Sequence, residues 1–306
     1  MNLDGDGDFD WVVNNPKLNM LASFTNTQTN PNFSLTHLSL IKIRVLIEFI
    51  VRSFFLLGNH HRAIRLTRRI KGTASGRKAL VLANGPSVNI LEAKLPSLDL
   101  SDVDIFAVNF FPLSTLASKV KPHFLVLSDP LTHPKISSEK NAKLWDWIQN
   151  NPDVRLLVPS SWSRTLRGFS QPMRINFFDD RNLIGWSKNI SPTRPRGYGS
   201  LTSYKALAFA CYAGYSRIGI LGFDNSQFRF VYNDKQNRVY QQSNYFYTES
   251  TDLELTTSLY NGIADYFYDT SNTFAYLRMF SKFPIFNLDE QSLADNFTKV
   301  SKLEEF

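Results

Sequence analysis

The hydrophobic pattern divides the chain into three stretches. Residues 1–36 are polar, rich in Asn, Thr and Asp, and without sustained periodicity, so they read as a flexible arm. Residues 37–77 are helical in pattern and basic. Within LSLIKIRVLIEFIVRSFFLL (38–57), Arg44, Glu48 and Arg52 recur every fourth residue and share one helical face. Leu46, Ile47, Phe49, Ile50, Val51 and Phe54 cover much of the rest. From residue 78 to 306 the texture becomes short apolar runs, turn residues and helical stretches. Ala79–Ala83 ends at Asn84-Gly85-Pro86-Ser87, after which Val88–Lys94 reads as a helix with Ser87 as its N-cap. Further strands are expected at Ile105–Val108, Phe124–Leu127, Arg155–Val158, Arg174–Phe177 and Ile218–Leu221, with helices at Glu139–Asn150 and Ser200–Gly214. The C-terminal part reads as a helix over Glu254–Lys282, a strand at Pro284–Asn287 and a short helix at Glu290–Phe297.

Alternating strands and helices predict an α/β fold: a single Rossmann-like, mostly parallel sheet with helices on both faces. An apolar strand, a Gly-Pro turn and a helix start make a first βα unit whose backbone N–H groups can meet a phosphate or nucleotide. The turn lacks the G-x-G-x-x-G and Walker A patterns. Polar residues recur at the expected strand ends: Asn84, Asn109, Ser128-Asp129 and Asp224. In open α/β sheets the ligand lies at that edge, so together they mark a candidate site. The loop at 186–199 carries Lys188, Arg194 and Arg196 and leads into Ser200-Leu201-Thr202, an anion site in prospect at a helix N-terminus. After Asp224, Phe228, Arg229, Phe230, Tyr232, Lys235, Arg238, Tyr240, Tyr245, Phe246 and Tyr247 follow without strong periodicity. This stretch reads as an insertion forming an aromatic lid.

Charge changes the picture of the N-terminal part. The 306 residues carry a net +7, but residues 42–78 hold ten basic residues against Glu48, a net +9. Residues 79–306 hold 23 basic and 22 acidic residues, which argues against a broad nucleic-acid face. Internal charges make a bilayer span by residues 38–57 expensive. An apolar helix followed by Arg62, Arg65, Arg68, Arg69, Lys71, Arg77 and Lys78 suits an anionic membrane surface; packing on the protein's own core or on a twin subunit is the other reading. The run Asp4-Gly5-Asp6-Gly7-Asp8 lacks the turn glycine and distal Glu of a calcium loop. One cysteine, Cys211, excludes a disulfide framework and a Cys-based zinc site, and fits a reducing cytoplasm. The acidic start does not suit a secretory signal.

Five segments, LVLANGPSVN (80–89), DIFAVNFF (104–111), FLVLSDP (124–130), SLTSYKALAFACYAGYSRIGILGFD (200–224) and FPIFNLDEQSLADNF (283–297), resemble in order the family 42 bacterial sialyltransferases and related surface-polysaccharide proteins. The resemblance runs over about residues 78–300. It implies a Rossmann-like domain with a lid that uses a CMP-activated sugar as co-substrate, with no metal and no further cofactor. By position, Asn84 and Asn109 match asparagines that contact CMP, and Asp129 falls where the family has a nucleotide-contacting Asn. Thr202, with Ser200 beside it, matches the hydroxyl site near the donor phosphate. Tyr232 matches one of two lid tyrosines on the leaving phosphate, and the other position reads Ser226. Gly85, Ser87 and Asp224 complete the expected nucleotide-sugar site.

No histidine follows His133, so the lid histidine that the family uses as base has no counterpart; Glu249, Asp252 or His133 could serve instead. The resemblance thus implies a sugar transfer to a glycan or glycolipid acceptor, by a cytoplasmic protein peripheral at the inner face of the plasma membrane, with no nucleic-acid partner and a homo-oligomer possible. Two other readings stay open. A pterin pyrophosphokinase-like enzyme would use ATP and Mg²⁺ through Asp129 and Asp224. A non-catalytic relative would bind a nucleotide sugar or a membrane partner.

Overall fold

A computed structural model of the chain describes residues 59–159, 162, 165–166, 173–175, 190–193, 201–242, 245–246, 253–255 and 263–300, with six positions between 39 and 50. The chain separates into two compact units, residues 1–55 and 56–306. In the first, Leu40, Ile43, Leu46, Ile47 and Ile50 are helical and exposed. Positions 40, 43, 47 and 50 share the spacing of one helix face.

Among the described residues the second unit has eight parallel strands: β1 (Lys78–Leu82), β2 (Val103–Val108), β3 (Phe124–Val126), β4 (Arg155–Pro159), β5 (Met173–Ile175), β6 (Arg217–Leu221), β10 (Ile285–Asn287) and β11 (Thr298–Lys299). Their order across the sheet is β11-β10-β6-β1-β2-β3-β4-β5. The chain steps outward from β1 to β5 and then crosses back to place β6 on the other flank of β1. The β1/β6 boundary is therefore a topological switch point, the place where open α/β sheets commonly bind their ligands.

Burial explains why these runs are near-continuously apolar. Ala79, Val81, Phe106, Val108, Phe124, Val126, Ile218 and Ile220 face one core with helices α4 (Thr202–Ala213) and α5 (Ile263–Leu277). Leu80, Leu82, Ile105, Ala107, Leu125, Leu127 and Leu221 face the other with α2 (Asn89–Lys94) and α3 (Glu139–Asn150). Alternate residues thus serve opposite cores, as the two-residue period of a strand requires. Each fully buried large side chain contributes about 1.5–3 kcal/mol. Helix α1 (Asn59–Arg69) packs beside β5. It buries Ile64 and Thr67 and leaves Arg62, Arg65, Arg68 and Arg69 outside.

The C-terminal part departs from the sequence expectation in two places. Leu253–Leu255 is not the start of a long helix but strand β9 of a small antiparallel sheet with β7 (Val231–Asn233) and β8 (Val239–Gln242). The alternating Leu-Glu-Leu suits a strand once β8 offers its edge, and helix α5 begins only at Ile263. Glu290–Phe297 is a run of turns instead of a helix. There, the Asp289 carboxylate accepts from Gln291 N–H, and the Ser292 hydroxyl accepts from Ala294 N–H while donating to the Phe223 carbonyl. Such side-chain bonds compete with helical ones. Among the described residues no helix is long and apolar enough to cross a membrane.

Candidate active site

The switch point is drawn tight by two glycines. Gly85, just after β1, donates its N–H to the Gly222 carbonyl at 3.1 Å, and Gly222, just after β6, holds φ at +78°. A β-carbon on Gly85 would overlap the Asp224 carboxylate and lie 2.7 Å from Gly222 O; one on Gly222 would meet Ala83 and Val88 at 2.8 Å. Only glycine lets the two loops approach this closely.

Ser87 does not cap helix α2. It lies inside a 3₁₀ turn, Pro86–Val88, whose flanking residue Gly85 has no side chain to offer. Instead Ser87 N–H donates to Asp224 Oδ1 at 3.2 Å, its hydroxyl donates to Oδ2 at 3.0 Å, and Gly222 N–H donates to that hydroxyl at 2.8 Å. Burial pushes the Asp224 carboxyl above the ordinary carboxylate range, the Ser87 hydrogen bonds pull it down, and the nearby Asp289 charge raises it further.

Around this point the strand ends carry polar groups in a row. Asn84 follows β1, Asn109 follows β2 with φ at +49°, Ser128 and Asp129 follow β3, and Asn287 closes β10. Asn84 Oδ1, Asn109 Oδ1 and Asn287 Nδ2 are buried and have no hydrogen-bond partner. Unpaired buried amide atoms cost about 1–3 kcal/mol each, so their grouping at one sheet edge points to a ligand that satisfies them. Asp129 is turned into its own loop, where its carboxylate accepts from Leu131 N–H at 2.9 Å.

Thr202 opens α4, and its hydroxyl lies 2.7 Å from that of Ser128. The Lys205 ammonium, on the same helix face and 1% exposed, donates to Ser128 at 3.0 Å. Ser128 and Thr202 were expected at the site; Lys205 was not, although a lone cation in the apolar run TSYKALAFACYA was its signal. Asn225, Asn287 and Asp289 were not named as site residues either, although Asn287 and Asp289 lie within the quoted segment 283–297 and Asn225 directly follows Asp224. Asn225 donates to the Tyr204 hydroxyl at 3.3 Å, and the Tyr204 ring stacks between Phe223 and Tyr276, tying the β6 exit to α4 and α5.

The stretch expected to form a lid contains the β7-β8-β9 sheet. Tyr232 stands on β7 opposite Tyr240 of β8 and is 46% exposed. Further along, Phe246 N–H donates to the Asn84 carbonyl at 3.1 Å and its ring meets Phe111, so this segment returns onto the first turn. His133 lies in the loop after β3, edge-on to Trp162, with Nδ1 accepting from Lys135 N–H at 3.3 Å. The expected site residues Ser200 and Glu249, with Asp252, Lys188, Arg194 and Arg196, lie outside the described residues. Among the described residues no three His, Cys, Asp or Glu side chains gather as a metal site would need.

Fold and site together define an open α/β protein with a row of polar side chains at the carboxyl edge of its sheet. No family model matches the sequence, and no curated protein does. Among solved structures the chain is similar to the MAf glycosyltransferase from Magnetospirillum magneticum AMB-1, at 13% identity and a TM-score of 0.41. The match covers 86% of this chain and 42% of that one, so the chain spans less than half of its length.

Proposed function

We propose that the protein is a metal-independent glycosyltransferase that moves sialic acid or a related acidic sugar from a CMP-activated donor to a cell-surface glycan or glycolipid. The observation that carries this reading is the set of asparagine amides at one edge of the sheet, Asn84 after β1, Asn109 after β2 and Asn287 on β10, each with a buried atom left unpaired. Amides offer both donors and acceptors, which matches the mixed edge of a cytosine base and its ribose. Ser128, Thr202 and Lys205 supply donors of the kind a phosphate takes.

In the proposed reaction an acceptor hydroxyl attacks the anomeric carbon as the bond from that carbon to the CMP phosphate oxygen breaks. Negative charge grows on the departing phosphate, where Ser200, Thr202, Lys205 and the lid Tyr232 would donate hydrogen bonds. The acceptor proton passes to Glu249, Asp252 or His133. For His133 the proton would be taken at Nε2, since Nδ1 accepts from Lys135.

The same proposal places the protein at the inner face of an anionic membrane, through residues 38–78. Two features support this: the outward arginines of α1, and, in the first unit, the exposed apolar positions between 40 and 50.

A thermal-shift series with CMP, CDP and ATP, each with Mg²⁺ or EDTA, tests the donor assignment. CMP should stabilise the protein equally in both. Stabilisation only by ATP with Mg²⁺ would overturn the reading in favour of a pyrophosphokinase. CMP-sugar binding with neither transfer nor CMP release would leave a non-catalytic binder.

A further inference from the structure

The described part of the chain also holds a cavity of about 430 Å³ at the opposite end of the sheet, where β1 to β4 begin. That volume lies within the ~300–1,000 Å³ range of small-molecule pockets. Its apolar wall is made by Ala74, Phe124, Phe209 and Ala213, below a polar rim.

At the back of the cavity the Asp104 carboxylate, 4% exposed, is already fully engaged. Arg77 Nη2 donates to Oδ1 at 2.6 Å and the Tyr215 hydroxyl donates to Oδ2 at 2.6 Å. Burial first, then Asp104, push the Tyr215 phenol well above its ordinary range, so it stays a donor. His123 accepts at Nδ1 from Ile105 N–H at 3.1 Å, which leaves Nε2 toward Asp104 at 4.0 Å. On the rim Lys121 pairs with Asp153 at 2.7 Å. The Arg155 guanidinium stands over the Phe124 ring, 5.6 Å from its centroid, and has no carboxylate partner among the described residues. With Asp104 matched by Arg77 and Asp153 by Lys121, the lining holds one cation in excess, at Arg155.

We infer that this cavity is a second ligand site, for an organic anion that sets one carboxylate or phosphate against Arg155 and a ring-sized apolar body against Ala74, Phe124 and Ala213. A guanidinium over an aromatic face suits a planar anion that can pair with it while its body stays in the apolar wall. The site is separate from the carboxyl-edge site, and its occupancy does not depend on the proposed transfer.

The test uses the full chain and three probes: 2-naphthoate, acetate and 2-naphthylmethylammonium, followed by titration calorimetry and thermal shift. 2-Naphthoate should bind at least tenfold more tightly than either of the others, because only it combines body and charge. Arg155→Gln should weaken it at least tenfold while the free protein melts at the wild-type temperature, since the side chain is on the surface. Thr73→Trp, at an exposed turn on the rim, should block the mouth and abolish binding. CMP should not displace the probe. Equal binding of 2-naphthoate and the ammonium analogue, unchanged affinity in both variants, or displacement by CMP would each overturn the inference.

Discussion

Ser87 and Asp224, 137 residues apart, close the switch point of the sheet with two hydrogen bonds, from backbone N–H to Oδ1 and from hydroxyl to Oδ2. One carboxylate thereby holds the first turn after β1 against the exit of β6. Everything proposed for the site depends on that closure, because Asn84 and the Phe246 contact hang from the same turn.

Gly85→Ala tests the closure directly. The added methyl overlaps Asp224 and crowds the Gly222 carbonyl, so the loops must separate. Overpacking of this kind costs about 1–3 kcal/mol. Thermal denaturation should show a lowered Tm, and CMP should lose most of its stabilising effect in the folded variant. A wild-type Tm would mean that the loops part easily.

Asp224→Asn bears on pH. A carboxyl whose folded pKa is raised above its unfolded value binds its proton more tightly when folded. Its stability contribution is fully present below the unfolded pKa and is lost as pH rises through the raised one. Urea unfolding of wild type and variant from pH 3.5 upward should show wild-type stability falling relative to the variant as Asp224 ionises. Parallel curves would show that burial does not govern this group.

Lys205→Met removes the buried ammonium and keeps most of the stem. If the cation serves the donor phosphate, CMP affinity should drop at least tenfold while cytidine affinity stays within about twofold, since a hydrogen bond to a charged group contributes about 1.5–3 kcal/mol. Calorimetry with both ligands separates this from a structural role, in which the two would fall together.

Tyr232→Phe should lower turnover more than donor affinity, by roughly 10–100-fold in kcat, because the hydroxyl is assigned to charge that develops only as CMP departs. Steady-state kinetics with a transferred CMP-sugar decide it. An equal loss in both parameters, or none, removes Tyr232 from that role.

Replacing Arg62, Arg65, Arg68 and Arg69 together by Gln should leave the fold intact, since all four lie on the outer side of α1. Binding to phosphatidylserine vesicles should weaken by about 1 kcal/mol for each removed charge, and CMP binding should not change. Retained vesicle affinity would place the membrane contact elsewhere.

Local pattern accounts for the elements that were legible. Helix α3 falls on Glu139–Asn150 as expected, because Ser138 accepts from Asn141 N–H and starts it and its apolar spacing carries it. The central strands match because burial on both faces admits only apolar runs. The lid sheet was not legible, since β9 becomes a strand only by pairing with β8. The turns at 290–297 likewise depend on the Phe223 carbonyl, which sequence distance hides. Within the site, Asn84, Asn109 and Asp224 could be read from strand ends. Lys205 showed only as a lone cation in an apolar helix, and its meeting with Ser128, like the place of Asn287, is set by how distant segments pack.

By itself the sequence determined the α/β class, the order of most strands and helices, and the concentration of basic charge in residues 42–78, all consequences of local periodicity and composition. Tertiary structure alone decided that β6 lies beside β1, that Ser87 meets Asp224 instead of capping a helix, and that a cavity opens where β1 to β4 begin. Those outcomes are set by strand crossover and by contacts between residues far apart in sequence, where local propensity carries no information.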